Sequence, residues 1–255
     1  MSGGVVVAAA GTLGWPPVGD GWRAVGVSDR LTLAAAAMTV VAVVAGWMWG
    51  LSSRWARVVG AGLVAAALAG CVWMSVSALA SFDAASRWIW VGGLAVGGMA
   101  VWALGERAVG EGADADARRW ALACMGLVAL ISAPVVVLWG HLKMGPLCGA
   151  VGVGVLSVMV IEWLTKRRCA PGSVLFGGLT LWCVWGTAYL FRESQAPWWS
   201  GLMLAASPLG VWAGALPAVR RWPRWARGLV MLGACAALAG GTLWAAVGAT
   251  DVSVY

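Results

Sequence analysis

The chain has 255 residues, of which 62% are hydrophobic and only 11% charged. Soluble domains average about 25% charged residues, so this composition excludes a soluble globular domain, a disordered chain, a collagen and a coiled coil. The net charge of +7 is read as membrane topology rather than nucleic-acid affinity, because no soluble face is available on which basic residues could track phosphates.

Residues 1–30 read as an extracytoplasmic or interfacial tail. Met1 to Gly14 carries no Lys or Arg, so the short apolar stretch from Val5 to Ala10 lacks the positive flank of a cleavable signal peptide. The first long apolar segment is therefore expected to remain as a membrane helix.

A membrane-spanning helix needs about 20 apolar residues. Eight segments meet that requirement: 31–50, 58–80, 88–105, 120–140, 146–165, 172–191, 198–219 and 228–248. The expected fold is an all-α integral membrane protein, a compact bundle of eight transmembrane helices over 31–248. A short tail follows at 249–255. The connections are short, the longest running from Glu106 to Arg119, so any chemistry must occur in the bundle or on its rim.

Lys and Arg are retained in cytoplasmic loops. Twelve of the 17 basic residues fall in 51–57, 106–119, 166–171 and 220–227. Arg23, Arg30, Arg87, Lys143 and Arg192 are left for the tails and the other loops. The alternation places both termini outside the cytoplasm, as in a multi-pass protein of a bacterial inner membrane.

The 20 tryptophans support the same frame, since indole favours the headgroup level. Trp120 and Trp139, like Trp225 and Trp244, are separated by about 28 Å of helix, close to one hydrocarbon thickness. These residues are expected to act as anchors.

A weak internal repeat is suggested by Arg-Trp-Ala at 54–56, 119–121 and 224–226. Any helix start at an inner interface selects similar residues, so a duplication and a shared constraint both stand. Small residues recur every fourth position: Gly62, Ala66 and Gly70; Gly93 and Gly97; Ala206, Gly210, Gly214 and Ala218; Gly233, Ala237 and Gly241. Such stripes let helices approach closely in lipid, within the bundle or against a partner subunit.

Polar chemistry is scarce: the chain has no Asn, one Gln (Gln195) and one His (His141). Glu162 is the one ionisable residue inside an expected span. It is read as an ion pair with Lys166 at i+4, with a proton or cation relay as the alternative. At the outer rim, His141 with Asp83 or Glu193 could form a general acid–base pair, with Arg87, Lys143 or Arg192 holding an anionic headgroup. Ordinary polar turns contain the same residues.

Pro134 falls inside the fourth span, and Pro208 and Pro217 inside the seventh. A proline within a span frees a carbonyl that neighbours must satisfy. Ser132, Thr180, Thr187, Tyr189 and Ser207 could line a pocket there, or the prolines could simply kink helices to improve packing.

The six cysteines form no C-x-x-C pair and read as small hydrophobes. One histidine cannot supply two imidazoles to haem, no phosphate-binding loop is present, and neither lysine is placed for a retinal linkage. No cofactor and no metal is expected.

The first functional expectation is a non-enzymatic accessory or assembly subunit acting through contacts with lipid and with other membrane subunits, not nucleic acid. The alternative is a permease or channel for a small neutral or lipid-like solute. The third is an outer-rim enzyme acting on a lipid headgroup.

Overall fold

The structure, a computed structural model, describes residues 115–142, 144–166 and 196–251, together with single residues and short groups between 41 and 100 and between 178 and 189. Most of the expected spans 31–50, 58–80 and 172–191, part of 88–105, the tail 1–30, and Asp83, Lys143, Thr187 and Glu193 lie outside the described residues. Among the described residues there is no strand.

The continuous part comprises α1 (Ala115–Leu138), α2 (Gly145–Thr165), α3 (Trp198–Ala206), a 3-10 helix (Ser207–Ala215), the single turn α4 (Pro217–Arg220) and α5 (Arg224–Asp251). Helices α1, α2 and α5 are long and apolar enough to cross a membrane. The core joins Leu122, Val128 and Val135 of α1 to Val151 and Val155 of α2 and to Cys235 and Ala239 of α5.

Helix α1 begins five residues before the expected fourth span and runs unbroken through Pro134. Asp116 lies in its first turn, where a carboxylate complements the positive end of the helix dipole. Its C-terminus has a local cause. Gly140 takes φ 100°; its N–H donates to the Val137 carbonyl (2.9 Å), and the His141 N–H donates to the Val136 carbonyl (3.1 Å). That pair of bonds is a Schellman cap, which requires a left-handed residue and so selects glycine. The His141 carbonyl then accepts from the Met144 N–H at 3.0 Å, and Pro146 sits in the first turn of α2, where its missing N–H is no loss.

The resulting antiparallel hairpin is closed by glycines facing one another. A Cβ on Gly126 would lie 2.6 Å from Leu156 Cγ, and one on Gly152 would lie 2.9 Å from Leu130 Cγ and 3.1 Å from the Gly126 carbonyl. A Cβ on Gly145 would run into Val137 and the Ala133 backbone. Backbone contact at this range is how helices gain dispersion energy where lipid removes the hydrophobic drive between them.

The seventh expected span, 198–219, is not one α-helix, which corrects the sequence reading. Pro208 has no N–H with which to reach the Leu204 carbonyl. That carbonyl instead accepts the Ser207 N–H and the Ser207 hydroxyl, the latter at 2.7 Å. Contacts one residue shorter than α-helical continue as the nine-residue 3-10 segment, a long run for that geometry. Leu216 then turns extended (φ −57°, ψ 138°) before Pro217 opens α4. Nine α residues and nine 3-10 residues together rise about 31 Å, so the broken element still matches a bilayer.

The small-residue ladders are used selectively. A Cβ on Gly210 would meet Cys235 N and Sγ at 2.7 Å, and one on Gly214 would meet Met231 Sδ at 2.7 Å. Both glycines therefore pack the 3-10 helix onto α5, antiparallel. The expected stripe Gly233–Ala237–Gly241 is not a single contact surface. A Cβ on Gly241 would meet Met203 Cε at 2.7 Å, whereas one on Gly233 has nothing within 4 Å. Gly62 and Gly93 likewise meet nothing within 4 Å, while Gly97 lies under the Trp182 ring.

Candidate functional site

The two ends of α1 carry different chemistry about 30 Å apart. At its N-terminal end, Arg118 and Glu162 form a bidentate ion pair between α1 and α2. Arg118 Nε donates to Oε2 at 3.0 Å and Nη2 donates to Oε1 at 2.8 Å. The side chains are 3% and 5% exposed. Planar guanidinium meets planar carboxylate along two parallel hydrogen bonds, the strongest form of such a pair. The expected Glu162–Lys166 pairing is replaced by this one; the Lys166 ammonium lies 5.7 Å from the Trp163 ring centroid. Arg118 is a helical residue at the α1–α2 interface rather than part of a loop.

Asp116 extends the charge pattern. It accepts from Arg119 at 3.2 Å and from Arg224 at 3.2 Å, tying the start of α5 to the start of α1. Both bonds are solvent-facing, so each contributes at most about 1 kcal/mol.

At the other end, a cavity of about 280 Å³ opens among Trp90, Trp139, Trp182, Trp185, Tyr189 and Trp198, with Gly201, Leu202 and Ala205 completing its wall. Three features hold its frame. Trp139 and Tyr189 pack edge to face with ring centroids 5.9 Å apart. The Tyr189 hydroxyl donates to the Trp198 carbonyl at 3.1 Å. His141 Nε2 donates to the Ala188 carbonyl at 3.1 Å. Gly201 lies directly against the Tyr189 ring, leaving no room for a Cβ. Nearly every lining atom is apolar, so the cavity suits a flat or chain-like apolar group and supplies no acid or base to act on one.

The residues singled out from sequence are dispersed. Tyr189 lines the cavity. Ser132 is buried in α1 and donates back to the Ala129 carbonyl at 2.8 Å. Ser207 and Pro208 form the α-to-3-10 junction, and Pro134 is exposed on α1. His141 is held by a backbone carbonyl, while Asp83, Thr187 and Glu193 lie outside the described residues.

Trp139 was expected at a lipid interface, but it is fully buried. Trp225 and Trp244 are 64% and 82% exposed, as anchors would be. The cavity itself was missed because Trp139 was read as an anchor and Trp182 and Trp185 were given no role of their own. The signal available was Trp182, Trp185 and Tyr189 at i, i+3 and i+7, an aromatic stripe on one helical face.

The described residues define an all-helical protein with three helices able to cross a membrane. No family model, curated protein or solved structure matches the chain.

Proposed function

We propose that this chain is a multi-pass inner-membrane protein of eight spans, both termini outside the cytoplasm, that binds a small neutral or lipid-like solute in the tryptophan-lined cavity. The permease reading is thereby placed ahead of the accessory-subunit reading. The observation that carries it is the cavity: about 280 Å³ of space walled by six aromatic side chains from four stretches of the chain, α3 among them. Pockets for small ligands are mostly apolar, largely pre-formed and found between the helices of bundles. Helix α3 forms one wall and runs directly into the 3-10 segment; irregular backbone at membrane depth accompanies solute paths in transporters.

A second reading, as a subunit of a larger membrane assembly, is favoured by the outward face of α5, where Gly233 and Ala237 are exposed. The outer-rim enzyme reading gains no such support, since His141 Nε2 is already committed to a carbonyl.

One preparation tests both readings. Detergent-solubilised protein is titrated with 1-aminoanthracene, a flat apolar fluorophore. Ala205→Trp, which fills the cavity, is expected to weaken binding at least tenfold, whereas Val153→Trp on the exposed face of α2 leaves it unchanged. Equal binding by both variants rejects the cavity as the site. A stoichiometric second chain in the same mild-detergent preparation, together with absent fluorophore binding, favours the subunit reading.

A further inference from the structure

The turn between the 3-10 helix and α5 reads Arg220-Arg221-Trp222-Pro223-Arg224-Trp225-Ala226-Arg227. It is compact: the Trp222 N–H donates to the Val219 carbonyl at 2.9 Å, and the Arg227 N–H donates to the Pro223 carbonyl at 3.1 Å. Helix α4 and the first turn of α5 therefore hold their arginines on one short surface at the same end of the bundle as Arg118 and Glu162.

Among the described residues, the acids at that end are already used. Glu162 is taken by Arg118, and Asp116 is shared by Arg119 and Arg224. Arg220, Arg221 and Arg227 have no acidic partner among the described residues. Arg227 adds a second, independent observation: its Nε is buried and has no hydrogen-bond acceptor. A buried guanidinium N–H without an acceptor is costly, and such groups call for a partner beyond the chain. What is missing is an oxyanion.

The apolar neighbours specify where that oxyanion resides. Trp222 and Trp225 are 51% and 64% exposed, and Leu216 is 53% exposed. Exposed indoles beside unpaired arginines at the end of a long apolar helix match the headgroup layer of a bilayer, where tryptophan is enriched and anionic lipids attract basic residues.

We propose that Arg220, Arg221 and Arg227, flanked by Trp222 and Trp225, form a binding site for the phosphate of an anionic phospholipid. The lipid phosphate supplies the acceptor that Arg227 Nε lacks. Its acyl chains lie along the exposed face of α5 that begins at Trp225 and Leu229. This inference rests on the membrane setting and not on the occupant of the aromatic cavity.

Native mass spectrometry of the full chain in detergent, with added phosphatidylglycerol or phosphatidylcholine of matched acyl chains, provides the test. The expected result is selective retention of phosphatidylglycerol. Near a membrane surface each basic residue contributes enough for about a fivefold change in affinity. Exposed Arg221→Gln should weaken retention by about that factor, and Arg220→Gln/Arg221→Gln/Arg227→Gln should abolish the selectivity. Lys166→Gln removes the same charge elsewhere at this end and should leave the selectivity intact.

Equal retention of the two lipids by the unaltered protein overturns the proposal, as does undiminished selectivity in Arg221→Gln, the substitution least able to disturb folding. Equal loss in Lys166→Gln reduces the effect to overall charge and also overturns it. Displacement of the lipid by millimolar glycerol 3-phosphate assigns the site to a free phosphate compound instead.

Discussion

Arg118 and Glu162 are 44 residues apart in sequence and share two hydrogen bonds in the interior. A buried pair of this kind adds little over a well-packed apolar pair, but leaving either charge alone costs about 3–5 kcal/mol. Glu162→Gln is therefore expected to lower unfolding stability in detergent by that amount, and Glu162→Gln combined with Arg118→Leu to recover most of it. An unchanged denaturation midpoint for Glu162→Gln would show that the pair does not hold α1 against α2. The sequence exposed one member only. Glu162 stands out in an apolar run, but arithmetic at i+4 sees only Lys166, and nothing local reports a partner arriving from another helix.

The elements were legible where a single apolar period runs uninterrupted. The expected segments 120–140, 146–165 and 228–248 match α1, α2 and α5 within a few residues at each end. The extra turns were missed because Arg118 and Arg224 look like loop residues until their acids are seen. The span at 198–219 was misread because hydropathy does not register the donor removed by Pro208 or the Ser207 hydroxyl that takes its place. Packing of that broken element is testable through its glycines. Gly210→Leu must push a side chain into the α5 backbone and should destabilise by about 1–3 kcal/mol. Gly233→Leu, facing open space, should stay within about 0.5 kcal/mol. Thermal unfolding in detergent distinguishes them; equal effects would contradict the register of the 3-10 helix on α5.

Taken together, the described apolar helices carry two chemically distinct ends. One gathers arginines around Asp116 and Glu162; the other gathers tryptophans around a cavity. Composition pointed to a lipid setting, and three of the described helices are long and apolar enough for it; the positions of Lys and Arg suggested the orientation. The cavity was hidden because it is assembled from side chains on separate helices, each of which has an ordinary explanation by itself.

The measurement that bears most directly on this arrangement is thiol labelling of single-cysteine variants in intact cells, on a background with the six native cysteines replaced. Leu142→Cys lies in the exposed turn after α1, beside the aromatic end, and Arg221→Cys lies in the arginine-rich turn before α5. A membrane-impermeant maleimide should label Leu142→Cys in intact cells and reach Arg221→Cys only after permeabilisation. Equal labelling of both positions before permeabilisation would place the two ends on one side and contradict a bundle that crosses the bilayer.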